Sequence, residues 1–215
     1  MLKNNNLGQL PSTGSGQCPT GVDTAENTTI KLLEAQNQTL RNYLAFRKKS
    51  SNQMILANIF AKRTELGDEY FVIDVGQDDG IKEGMAVVEQ NGFLTGRISK
   101  VEKNFSYFSP ILDSNLSLKI SFLPSNTNKI LTSGILSNQQ SSVLEINYVL
   151  SGQNIQKGDK VITAESSEYF PRNILIGEVQ LVENEPHQLF QKIIVRPYAD
   201  LDNILMVGVI FPVIK

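Results

Sequence analysis

The stretch GIKEGMAVV, Gly80–Val88, returns later in the chain as NIQKGDKVI, Asn154–Ile162. A second matching stretch follows each copy: FLTGRISKVE, Phe93–Glu102, after the first, and ILIGEVQLVE, Ile174–Glu183, after the second. Ile81, Gly84, Val87, Gly96, Val101 and Glu102 thus correspond to Ile155, Gly158, Val161, Gly177, Val182 and Glu183. Each unit reads as a turn carrying a core isoleucine, a glycine for left-handed or close-packed backbone, and then a strand. Gly80, Gly84 and Gly158 fall at the turns. Gly96 and Gly177 fall inside strands, where a missing side chain permits a bulge or a barrel corner.

Further strands surround the repeat. LSLKISF, Leu116–Phe122, alternates apolar and polar residues strictly, and LEINYV does the same with Leu144, Ile146 and Tyr148 on the apolar side. Such alternation marks strands with one buried face. YFVIDVG, DKVITA, QKIIVRP and ILMVGVIF add apolar runs bounded by Gly, Asn, Asp or Pro. Many short strands with a duplication predict a mainly β chain of two small tandem β-barrels. The expected boundaries are 56–134 and 135–215, with the C-terminal strands free to pair back onto the segment after the helix.

A different period precedes the barrels. Residues 1–22 are polar punctuation rich in Asn, Ser, Gly and Pro and are expected to be a disordered tail. Over 23–55 we expect a helix, opened by a capping box of Asp23 and Glu26. Ile30, Leu33, Asn37, Leu40 and Leu44 then recur at spacings of three and four, a short coiled-coil seam. Asn37 at a core position is best satisfied by its twin in a parallel dimer. The competing reading is an amphipathic helix lying on its own domain.

Composition narrows function by exclusion. The 215 residues carry a net charge of −2, and the sequence pI is near 5.5. That balance speaks against nucleic acid, whose phosphates demand a basic excess. Phe105, Tyr107 and Phe108 could stack bases, but nearly neutral surroundings favour core or partner contacts. Cys18 and His187 are the sole residues of their types, so no metal-ligand spacing and no disulfide arises within the chain. Neither a nucleophile elbow nor a phosphate-binding glycine loop is present. We therefore expect no catalytic residues, no metal and no cofactor. No apolar run reaches the ~20 residues that span a bilayer.

The order of these parts resembles the extracytoplasmic region of the rod shape-determining MreC family. The resemblance rests on LEAQNQTLR in the helix, FVIDVGQDDGIKEGMAVVEQNGFLTGRISKV in the first repeat, and LSGQNIQKGDKVITAESSEYFPRNILIGEVQLVE with IIVRPYADLDNILMVGVI later. It implies a non-enzymatic scaffold of cell-wall elongation that dimerises through the helix. Implied partners are a class B penicillin-binding transpeptidase, MreD, RodA and, across the membrane, MreB. Implied too is an extracytoplasmic, membrane-associated location with an anchor ahead of the helix. Phe170 and Pro171 become candidate partner contacts, with a core plug at a turn as the other reading. Where the family often has glycine after Phe-Pro, this chain has Asn173, the next-best occupant of left-handed backbone. Two alternatives of other classes stand beside the scaffold: a hydrolase on a protease-like barrel and a PDZ-like peptide-binding module.

Overall fold

The computed structural model describes residues 21–49, 53–65, 68–125, 130–137, 143–164, 170–184 and 187–211. One α-helix, α1 (Gly21–Lys49), is followed among these residues by twelve strands, with a single 3-10 turn at Gln77–Asp79. By compactness the chain divides into Met1–Gln38 and Thr39–Lys215, and the second unit holds all the strands. The helix is already formed at Gly21, so Asp23 lies within it and is not its cap. Most of the expected tail, and residues 50–52 of the expected helix, lie outside the described residues.

The strands are β1 (Met54–Glu65), β2 (Asp68–Ile73), β3 (Ala86–Val88), β4 (Leu94–Val101), β5 (Ser106–Pro110), β6 (Ser117–Leu123), β7 (Ser133–Ser137), β8 (Leu144–Leu150), β9 (Lys160–Thr163), β10 (Leu175–Glu183), β11 (Phe190–Pro197) and β12 (Met206–Ile210). They close into two barrels, ordered β1-β12-β3-β4-β5-β2 and β10-β11-β8-β7-β6-β9. The fold is thus mainly β with an N-terminal helix and twin barrels.

The boundaries between the barrels need correcting. β6 and β7 belong to the second barrel, not the first. The C-terminal strand does pair back onto the segment after the helix: β12 lies between β1 and β3 and closes the first barrel. The second barrel is therefore inserted into the first. Alternation in LSLKISF specifies which face of β6 is buried, and Leu118, Ile120 and Phe122 are indeed at most 3% exposed. It carries no information on which neighbour the strand pairs with, hence the misplaced border.

The repeat itself is realised bond for bond. The amide of Gly84 donates to the Ile98 carbonyl and that of Gly158 to the Val179 carbonyl, each at 2.9 Å. The returning bonds, Ile98 to the Met85 carbonyl and Val179 to the Asp159 carbonyl, are also 2.9 Å. Gly84 and Gly158 hold φ of 88° and 92°, left-handed values that side chains resist. Ile81 and Ile155 beside them are buried. A bulge follows Ile98 on β4 and Val179 on β10, twisting both strands at the same place.

Two apolar cores result. One fills the first barrel around Ile73, Val87, Phe108 and Val209, where Phe108 stacks on Phe71 at 4.9 Å between centroids. The other fills the second barrel and runs on through Ile111 and Leu116 to Ala86, Val88, Leu94 and Ile210 of the first.

Candidate interaction site

The last turns of α1 are fixed to the first barrel by one face. Tyr43 is 1% exposed, and its hydroxyl donates to the Met206 carbonyl at 2.8 Å. The Val88 carbonyl lies further off, at 3.5 Å. Asn42 Nδ2 reaches Gln90 Oε1 at 3.4 Å, and the Phe46 ring fills the space beside Gly92 where a side chain would stand. Burial, and after it the charge of Glu89, pushes the Tyr43 hydroxyl well above the usual phenol range, so it stays a donor.

The other face is bare. Ile30, Leu33, Leu40 and Leu44 are 53%, 58%, 41% and 54% exposed, and Asn37 is exposed as well. The amphipathic-helix reading holds in part, but the face that docks is Thr39, Asn42, Tyr43 and Phe46. The expected seam residues stand outside it, at helical spacing and uncovered.

Beside the joint, Thr39, Glu89, Gln90, Asp200, Asn203 and Met206 help line a hollow of about 170 Å³. Glu89 is 8% exposed and accepts from Asn91 Nδ2 at 3.0 Å. Burial raises its carboxyl pKa, and the Asp200 charge adds to this; hydrogen bonds from Asn91 and from the Asp200 backbone oppose it. A folded pKa above the unfolded one means that stability falls as pH climbs between the two, and the cost stays in full above the folded value. Glu89→Gln is accordingly expected to raise the melting temperature at pH 7, with the gain shrinking at pH 4. A lower melting temperature at pH 7 would show that the hydrogen bonds outweigh the burial.

Phe170 is not on the surface. It is 2% exposed within the second barrel's core, so of the two readings its ring takes the plug. Thr163 organises the turn: its hydroxyl donates to the Pro171 carbonyl at 2.8 Å and accepts from the Ile174 amide at 2.9 Å. Asn173 takes φ of 66° there, the left-handed backbone for which glycine is otherwise used. Pro171 is only half-buried, leaving the turn's edge open.

The second barrel exposes apolar residues that sequence reading missed. Tyr148 was expected to face inward; it is 62% exposed and has φ of 60°. A register shift between β8 and β11 passes through this position, so the alternation breaks and the ring turns out against Phe190, edge to face at 5.8 Å. Leu150 and Leu189 are exposed nearby in sequence. A bulge inside an alternating run leaves no mark in the residue pattern.

His187 is exposed in a turn, and among the described residues no three His, Cys, Asp or Glu gather as a metal would need. No helix among them is long and apolar enough to cross a membrane.

Residues 59–211 match the family described as "Rod shape-determining protein MreC, barrel core". The chain belongs to the MreC family. It is 26% identical over 189 residues to the cell shape-determining protein MreC of Bacillus subtilis, covering 83% of this chain and 65% of that one. With the Streptococcus pneumoniae MreC it shares 25% over 171 residues, 79% of this chain and 62% of the relative. The chain thus spans somewhat under two thirds of the curated relatives it matches. Among solved structures, an MreC superposes with a TM-score of 0.72 at 21% identity, over 83% of this chain and 99% of the other. The MreC solved in complex with the penicillin-binding protein PBP2 of Helicobacter pylori shares the fold at a TM-score of 0.56 and 13% identity, over 74% of this chain and 99% of the other.

Proposed function

We propose that this chain is a non-enzymatic scaffold of the cell-wall elongation machinery. It acts on the extracytoplasmic side of the membrane, self-associates through α1 and binds a class B penicillin-binding transpeptidase. The observation that carries this reading is the division of labour on the helix. One face is spent on holding the barrel at Tyr43, while Ile30, Leu33, Leu40 and Leu44 stay open to solvent. Leucines and isoleucines left exposed at seam spacing are stabilised by a second copy, at about 1.5–3 kcal/mol per fully buried side chain. Asn37 then pairs with its twin and sets a parallel register.

Membership of the family and the related MreC solved with a PBP2 support the transpeptidase as partner. By family resemblance MreD and RodA in the membrane, and MreB beyond it, complete the assembly. Recognition without turnover is the role we assign to the twin barrels.

Sedimentation and binding test this together. The chain is expected to sediment as a dimer that Leu40→Asp with Leu44→Asp converts to monomer. Both forms are expected to retain binding to the transpeptidase ectodomain, with the dimer tighter on a surface through avidity. A wild-type chain that stays monomeric at high concentration would refute the seam. Absence of binding to the transpeptidase by either form would refute the scaffold.

A further inference from the structure

The two barrels match more deeply than the sequence repeat suggests. In the first, Val87 of β3 lies between Val209 of β12 and Gly96 of β4; in the second, Val161 of β9 lies between Phe122 of β6 and Gly177 of β10. One strand on, Gly96 faces Pro110 and Gly177 faces Pro197. Next, Phe108 faces Phe71 and Val195 faces Leu144; then Ile73 faces Ile59 and Ile146 faces Leu136. The last step returns to the start: Leu56 faces Gly208, just before Val209, and Ser133 faces Ser121, just before Phe122. Both rings therefore close with no slip between them. A slip of one residue would turn every side chain to the wrong face, so agreement all the way round is a strict condition.

In that alignment β1 to β5 correspond to β7 to β11 in order, but the sixth strands are crossed. The place that β12 fills in the first barrel is filled in the second by β6. We propose that the chain is two six-strand repeats, β1–β6 and β7–β12, that have traded their last strands, so that each barrel is held shut by a strand of the other repeat. The exchange couples the barrels mechanically. β6 leaves β5 through Ile111 and Leu116, which are 0% and 1% exposed in the core that both barrels share. β12 returns to the first barrel after the last strand of the second and buries Val207, Val209 and Ile210 there. Opening the first barrel means withdrawing a strand tethered to the second, and that tether keeps the strand at a high effective concentration, in the mM range for short links.

The consequence is a scaffold whose two barrels respond as one body to a load on either. Hydrogen exchange against denaturant on the full chain tests it. Slowly exchanging amides at Val87 in β3 and Val161 in β9 are expected to open with the same free energy and the same denaturant slope. The decisive arm is a folded chain cut once, at a protease site inserted in the exposed turn at Asp202–Asn203. With its tether gone, β12 is expected to dissociate in a concentration-dependent way, so that β1 and β3 exchange much faster than β9 and β10. Independent opening of the barrels in the intact chain would overturn the proposal. So would a cut chain that still opens in a single step, since coupling would then come from the shared core alone.

Discussion

Gly96→Ala and Gly177→Ala are each expected to destabilise the chain by about 3 kcal/mol, at the upper end for overpacking a filled interior. Neither glycine is needed for a left-handed backbone; the requirement is space. A Cβ at Gly96 would overlap the Ser109 carbonyl oxygen and meet the Phe108 ring at 2.9 Å. At Gly177 it would overlap the Arg196 carbonyl oxygen and stand 3.0 Å from the Pro197 Cα. In both cases the obstacle is the backbone of the strand opposite, which moves only if the pairing is given up. Gly152→Ala supplies the contrast. There φ is 89° and nothing lies within 4 Å of the added atom, so only backbone strain of about 1–2 kcal/mol applies. Urea unfolding of the three variants should rank Gly152→Ala as the mildest. Equal losses would show that the two strand pairs part to admit a methyl.

These two glycines also show what the sequence makes legible. Their recurrence in matching stretches marks a duplicated strand, because a mid-strand glycine is costly without a geometric reason. The repeat thus reveals barrels and their buried isoleucines. Closure is a different matter. Which strand lies beside which is fixed by long-range pairing. The return of the C-terminal strand to β1 is anticipated from the sequence, but nothing in β6 names its barrel, so the exchange between the two is invisible until the rings are laid side by side. The same limit explains Tyr148, whose outward turn depends on a bulge that leaves the alternation of LEINYV intact on paper. Asn173 was readable for the opposite reason, since left-handed backbone is a local property that few residue types tolerate. Phe170 sat between the cases. An aromatic before a proline fits an exposed contact and a core plug alike, and only the 2% exposure decides it.

Replacing Tyr43 is expected to have the largest effect of any change in α1. Its spacing from Leu40 and Leu44 puts it off the seam, and nothing in the helix pattern signals that a tyrosine is buried there. Tyr43→Ala removes a ring that is 1% exposed and leaves a hole between helix and barrel, at a cost of about 3–5 kcal/mol for an aromatic truncated to alanine. Tyr43→Phe keeps the ring and loses the hydrogen bond to the Met206 carbonyl, a change of about 1–2 kcal/mol. Met206 opens β12, so the loss is felt at the strand that closes the first barrel. Tyr43→Ala should therefore speed hydrogen exchange in β12 and at Val88 and Gln90 and, through the crossed strands, in β8 and β11 along with them, while Tyr43→Phe gives a smaller shift at the same amides. Because Ile30 and Leu33 are untouched, the freed helix retains seam residues for self-association, and dimerisation should weaken far less than barrel stability. A Tyr43→Ala chain with wild-type exchange in β12 would mean that the helix contributes nothing to holding that strand in place.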